Sequence, residues 1–187
     1  MCIEITQNEY NKLIEKLHFY DNTRNNLLTF SFTAVLAILG IALTKNMNLT
    51  NVWLCLIPFF LIIPFSARIS YYRLASAHVN SFLRQFAPKD MQFEIGSKIV
   101  KENGCSFYRL IAWMVNHEML LLSIATSFTF YIKYWPNIDG WKYYDYISFL
   151  IPLLLTTLVY LISHSTYSYK KLTDNFEQKW KKYIEFK

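Results

Sequence analysis

LLTFSFTAVLAILGIALTKNMNLTNVWLCLIPFFLIIPFSAR, residues 27–68, is the stretch on which the fold turns. Residues 27–44 carry no charge, and neither do residues 51–67; Lys45 closes the first run and Arg68 the second. At a helical rise of about 1.5 Å per residue, each run reaches roughly 26–27 Å, close to the ~30 Å of a bilayer's hydrocarbon core. The short, polar link between them turns the pair into a transmembrane hairpin. Two more runs follow. Residues 110–132 are interrupted only by Asn116, His117 and Glu118, and residues 146–169 are uncharged with His164 near the end.

Mean hydropathy is only +0.17, so the membrane signal is segregation rather than an apolar average. Charged residues are 17% of the chain, below the ~25% of soluble proteins. A buried soluble bundle seldom holds helices of this length without a charge. The expected fold is all-α, an integral membrane four-helix protein built as two transmembrane hairpins with helical cytoplasmic extensions. Its segments are a cytoplasmic amphipathic helix (1–26), spans at 27–44, 51–67, 110–132 and 146–167, a cytoplasmic helical segment (68–109) and a basic tail helix (168–187).

Charge sets the orientation. Of the 19 Lys and Arg residues, all but Lys45, Lys133 and Lys142 fall in the two tails and the central segment. Cytoplasmic loops collect positive charge, so both termini are expected inside. Trp53, Trp135, Trp141 and the tyrosines at 131, 134, 143, 144 and 146 then form an outer aromatic belt. The first run follows 26 residues with four acids, unlike a secretory signal. Cys2 and Cys105 fall inside and Cys55 within a span, so neither a disulfide nor a metal site is expected.

Thr6 and Glu9 have capping-box spacing, with Ile5 and Tyr10 placed for a hydrophobic staple. Tyr10, Leu13, Ile14 and Leu17 recur at helical spacing, and no Gly or Pro intervenes before the membrane. One helix over about 7–44 is predicted. The second span runs on through Ile69, Tyr72, Ser76, Val79, Leu83 and Phe86 until Pro88, with Arg73 and Arg84 on the opposite, exposed side. Asp90 can cap a short helix that Asn103-Gly104 stops. Leu172, Phe176, Trp180 and Tyr183 mark an amphipathic tail helix, and Pro58, Pro64 and Pro152 kink their spans.

No nucleophile elbow, phosphate-cradling glycine loop or H-E-x-x-H occurs; after His117-Glu118, position 121 is Leu. An enzyme is not expected, nor a cofactor or metal. Three groups of residues remain. Asn116, His117 and Glu118 lie about 12 Å above Arg109 along a helix, where ionisable side chains either satisfy one another near the interface or gate a wet path. Asn22, Asn26, Thr29, Thr33, Ala37, Gly40 and Thr44 share one face of the first span. Such a face serves close helix packing, or lines a narrow pore when repeated around an oligomer. Ser123 and Ser127 continue a weaker stripe from Asn116. Arg68, Arg73, Arg84, Lys98, Lys101 and Arg109 gather in the central segment, suited to phosphate or to anionic headgroups.

The opening EYNKLIEKLHFYDNTRNNLL, the very short outer turn and the exit PFSARISYYR into a long helix give residues 8–86 a resemblance to the SLATT family of bacterial membrane effectors. That resemblance implies a pore-forming effector of anti-phage defence in the bacterial inner membrane, beside a nucleotidyltransferase that makes a nucleotide signal. The family's core has two spans, so the second hairpin lies beyond the resemblance, and it transfers no site residue. The expectation is an oligomeric pore or ion-channel effector gated by an anionic nucleotide or oligonucleotide, because one four-helix bundle has no hydrated axis. Its rival is a non-conducting structural subunit, or an immunity protein that blocks a membrane partner.

Overall fold

Thr6 and Glu9 begin the first helix as their spacing predicts. The Glu9 amide donates to Thr6 Oγ1 at 3.3 Å and the Thr6 amide to Glu9 Oε2 at 3.1 Å, so two donors without helical partners are satisfied reciprocally. In the computed structural model, which describes residues 6–44, 52–86, 113–137, 142–164, 166 and 169–185, this helix is α1, Gln7–Thr44, 38 residues without a break. Ile5 of the expected staple and the short helix after Asp90 lie outside the described residues.

A 3-10 turn, Trp53–Leu56, precedes α2, Phe59–Phe86. Pro58 stands just before α2, where its missing amide costs no helical bond, and its carbonyl accepts from the Leu61 and Ile62 amides at 3.0 and 2.9 Å. Pro64 lies inside α2, which continues to Phe86 as the apolar periodicity predicts. Then come α3 (Glu118–Tyr134), a second 3-10 turn (Trp135–Asn137), α4 (Tyr143–His164, with Pro152 inside) and α5 (Tyr169–Glu185).

The described fold is therefore all-α. Among the described residues, three helical stretches are long and apolar enough to cross a membrane: Gln7–Thr44, Trp53–Phe86 and Tyr143–His164. The run 110–132 departs from the expected unbroken span. Residues 113–116 form a helical turn, His117 leaves helical geometry at φ −113° and ψ 19°, and α3 starts afresh at Glu118 with 17 residues.

The chain divides into two compact units, each taking part of α1 and α2. One comprises residues 26–69 and 117–165. Its core joins Val35 and Leu39 of α1, Phe59 and Ile62 of α2, Leu122 and Phe130 of α3 and Val159 of α4. Tyr134 donates to Asp145 Oδ1 at 2.7 Å and the Lys142 amide to Oδ2 at 2.9 Å, which clasps the α3–α4 connection. The Lys133 ammonium donates to the Leu43 carbonyl at 2.8 Å, a cation on the last turn of α1 where the helix dipole favours one.

The other unit comprises 1–25, 70–116 and 166–187. Tyr10 and Leu17 of α1 pack there with Val79 and Leu83 of α2. The expected amphipathic tail is α5, and its aromatic face docks on α2. His78 stacks on Trp180 at 5.2 Å and meets Phe176 edge-on at 5.1 Å, while Phe82 meets Trp180 at 5.0 Å.

Candidate functional site

The small and polar stripe of α1 turns away from its own unit's core. Leu28, Ser31, Val35, Leu39 and Ala42 are buried, whereas Asn26, Thr29, Thr33, Ala37, Gly40 and Thr44 are all exposed. At 100° per residue the two faces are roughly 160° apart. A Cβ added at Gly40 would meet nothing within 4 Å. Thr33 Oγ1 donates to the Thr29 carbonyl at 2.8 Å, and Thr44 Oγ1 lies 3.1 Å from the Gly40 carbonyl. These hydroxyls satisfy themselves on their own helix. The stripe is thus not a packing face within the described part of its own unit.

The Asn116–Glu118 group is half-buried and sits at the break before α3. There Arg73 Nη1 donates to the Asn116 carbonyl at 2.7 Å and Nη2 to the Val115 carbonyl at 2.8 Å. Arg73 is only 6% exposed, which corrects the expectation that it stands outward on α2. The lower half of α2 is packed on more than one side, so Arg73 lies in a buried strip rather than on a solvent face. Arg84 is half-buried, its guanidinium 4.0 Å from Asp174, and Arg68 is exposed. Lys98, Lys101 and Arg109 lie outside the described residues.

Sequence reasoning missed a buried polar seam along α2. Ser66, Ser70, Arg73, Ser76 and Asn80 follow at spacings of four, three, three and four, which keeps them on one face, and all are buried. In the first unit the Ser66 and Ser163 hydroxyls share a hydrogen bond of 2.9 Å. In the second, Thr166 Oγ1 donates to Ser70 Oγ at 3.2 Å and Ser76 Oγ to Asp21 Oδ1 at 3.3 Å. The signal was present as hydroxyls at helical spacing, but the aromatic and aliphatic residues of α2 outweighed it. Ser127, from the weaker stripe, is bonded to Thr156 at 2.8 Å and joins α3 to α4.

No family model, curated protein or solved structure matches this chain.

Among the described residues no group of His, Cys, Asp and Glu is arranged to hold a metal ion. On unit 26–69/117–165 a surface groove of about 460 Å³, bordered by Trp53, Phe60, Ile63, Pro64 and Leu155, is almost wholly apolar. Another, about 350 Å³ between α3 and α4, has Ser127, Thr156 and Thr157 among its walls. Beyond them, α4 exposes Leu150, Leu153, Leu154, Leu158 and Leu161, an apolar surface suited to lipid.

Proposed function

We propose that this protein is a four-span helical membrane protein of the bacterial inner membrane, with both termini cytoplasmic. It assembles as a homo-oligomer around the α1 stripe and forms a pore. The observation that carries the reading is the exposure of Asn26, Thr29, Thr33, Gly40 and Thr44 opposite the protomer's core. A lipid-facing helix gains nothing from such a face, whereas a symmetric assembly brings it to a shared axis. The three long apolar helices support the membrane reading. The fourth span is α3, whose 17 residues rise about 25 Å.

The resemblance to SLATT effectors supports a role in anti-phage defence under an anionic nucleotide or oligonucleotide signal. Arg68, Arg84, Lys98, Lys101 and Arg109 are the cations for that signal, since Arg73 is engaged by backbone carbonyls. Reconstitution in liposomes tests the reading. Ion flux from an assembly of several subunits is the expected result, and monomers alone in nanodiscs would remove the pore.

A second reading has its own support. Because the Thr33 and Thr44 hydroxyls are satisfied within α1, the stripe suits a dry helix contact equally well. The protein would then be a non-conducting structural subunit or a blocking immunity partner. An assembled oligomer without flux favours it.

A further inference from the structure

The structure assigns Arg73 a role that charge alone did not suggest: its guanidinium is a latch that keeps the chain broken at His117. In an unbroken helix the carbonyls of Val115 and Asn116 accept from the amides of Met119 and Leu120, four residues on. Here both carbonyls accept from the two terminal nitrogens of one guanidinium, at 2.8 and 2.7 Å. The first α3 amide bonded one turn back is that of Leu121, to the His117 carbonyl at 2.9 Å. Met119 and Leu120 lie in the first turn of α3, where a helix supplies no acceptor four residues back.

The fork geometry is what makes arginine suited to this. Two neighbouring carbonyls at a helix end present parallel acceptors, and guanidinium offers two parallel donors with a fixed spacing. Burial strengthens both bonds and makes a lost partner costly. Removing the cation frees Val115 and Asn116 to take the Met119 and Leu120 amides, so residues 113–134 can close into one continuous helix. The break and the continuous helix are then two states of one segment, and Arg73 selects the first. If the pore reading holds, the latch also sets how His117 and Glu118 enter the third span; the latch itself does not depend on conduction.

Amide hydrogen exchange at single-residue resolution tests it on the full-length protein in nanodiscs. In the unaltered protein the Met119 and Leu120 amides should exchange at least ~10-fold faster than Leu121 and Leu122, the value of about one net hydrogen bond. In Arg73→Gln the same two amides should slow by ~10-fold, while α4 is unchanged. Arg73→Lys, with a single cationic head, should fall between. A merely structural arginine predicts the opposite, faster exchange around the lost contact. Faster or unchanged exchange at Met119 and Leu120 in Arg73→Gln overturns the latch, as does equal protection from residue 119 to 122 in the unaltered protein, which needs no variant to fold. Ion flux measured alongside keeps the two ideas apart, because loss of the pore leaves the exchange pattern intact.

Discussion

Gly40→Leu should stabilise the protomer and weaken the assembly, two effects of opposite sign from one side chain. Gly40 is exposed on α1 and a Cβ there meets nothing within 4 Å, so leucine enters open space in the protomer. Replacing a mid-helix glycine by a good helix former should then gain about 0.5–1 kcal/mol. In the proposed assembly the same residue lies in the stripe of Asn26, Thr29, Thr33 and Thr44, where small side chains would permit close backbone approach. An isobutyl group there holds the helices apart. The assay is unfolding in detergent at high dilution, for the protomer, beside mass measurement and liposome flux, for the assembly. Leu36→Ile is the control, because it conserves the volume of a side chain that is already large and exposed one turn before Gly40, and little should change. A destabilised dilute protomer would mean that Gly40 is packed within its own chain. Equal and mild effects of both substitutions would make the stripe incidental.

Three further outcomes are expected. Reporters fused after Lys187 or inserted within 88–104 should both be cytoplasmic, and an external reporter at either place defeats the four-span topology. Phe130→Ala, which empties a wholly buried position beside Trp53 and Tyr134, should cost about 3–5 kcal/mol in detergent unfolding; a change within 1 kcal/mol on the same scale would place that ring outside the working core. Hydrogen bonds from the Thr6 amide and hydroxyl hold the Glu9 carboxyl below its ordinary pKa. Its contribution to the start of α1 is therefore present above the unfolded pKa and lost as pH falls through the lower folded one, so amide exchange in the first turn should accelerate there; Thr6→Ala, which keeps the amide and loses the hydroxyl, should shrink that acid step, and Glu9→Gln should abolish it.

How far the fold was legible differs from helix to helix. The start of α1 needed only Thr6 and Glu9, and its length followed from the absence of Gly or Pro before Gly40. The extent of α2 was readable through Pro64 because its apolar spacing continues to Phe86. The break before α3 was not. Asn116-His117-Glu118 carries no Gly or Pro to mark a stop, and the arginine that bonds the Val115 and Asn116 carbonyls stands more than forty positions earlier. The same long-range contact explains why Arg73 looked like a surface cation. Charge predicts solvent, and only packing discloses that two carbonyls await it. The α1 stripe was legible as a pattern, while its direction, away from the core of unit 26–69/117–165, required the buried face to be seen.

Within unit 26–69/117–165, the buried and the exposed face of α1 are held in phase by a helix without a break. Leu28, Val35 and Leu39 enter that unit's core, while Thr29, Thr33 and Gly40 face away from it. Inserting a single residue between Thr29 and Thr33 would turn one part against the other by about 100° and shift it by about 1.5 Å. With Val35 and Leu39 kept in the core, Thr29 would leave the line of Thr33 and Gly40, and Leu28 would leave its buried position. Inserting seven residues would nearly restore the phase, with an error of about 20°, at the cost of a longer rod. Among natural or engineered variants, insertions in this segment should therefore be tolerated in steps of seven and rejected in steps of one, even where every individual substitution is harmless.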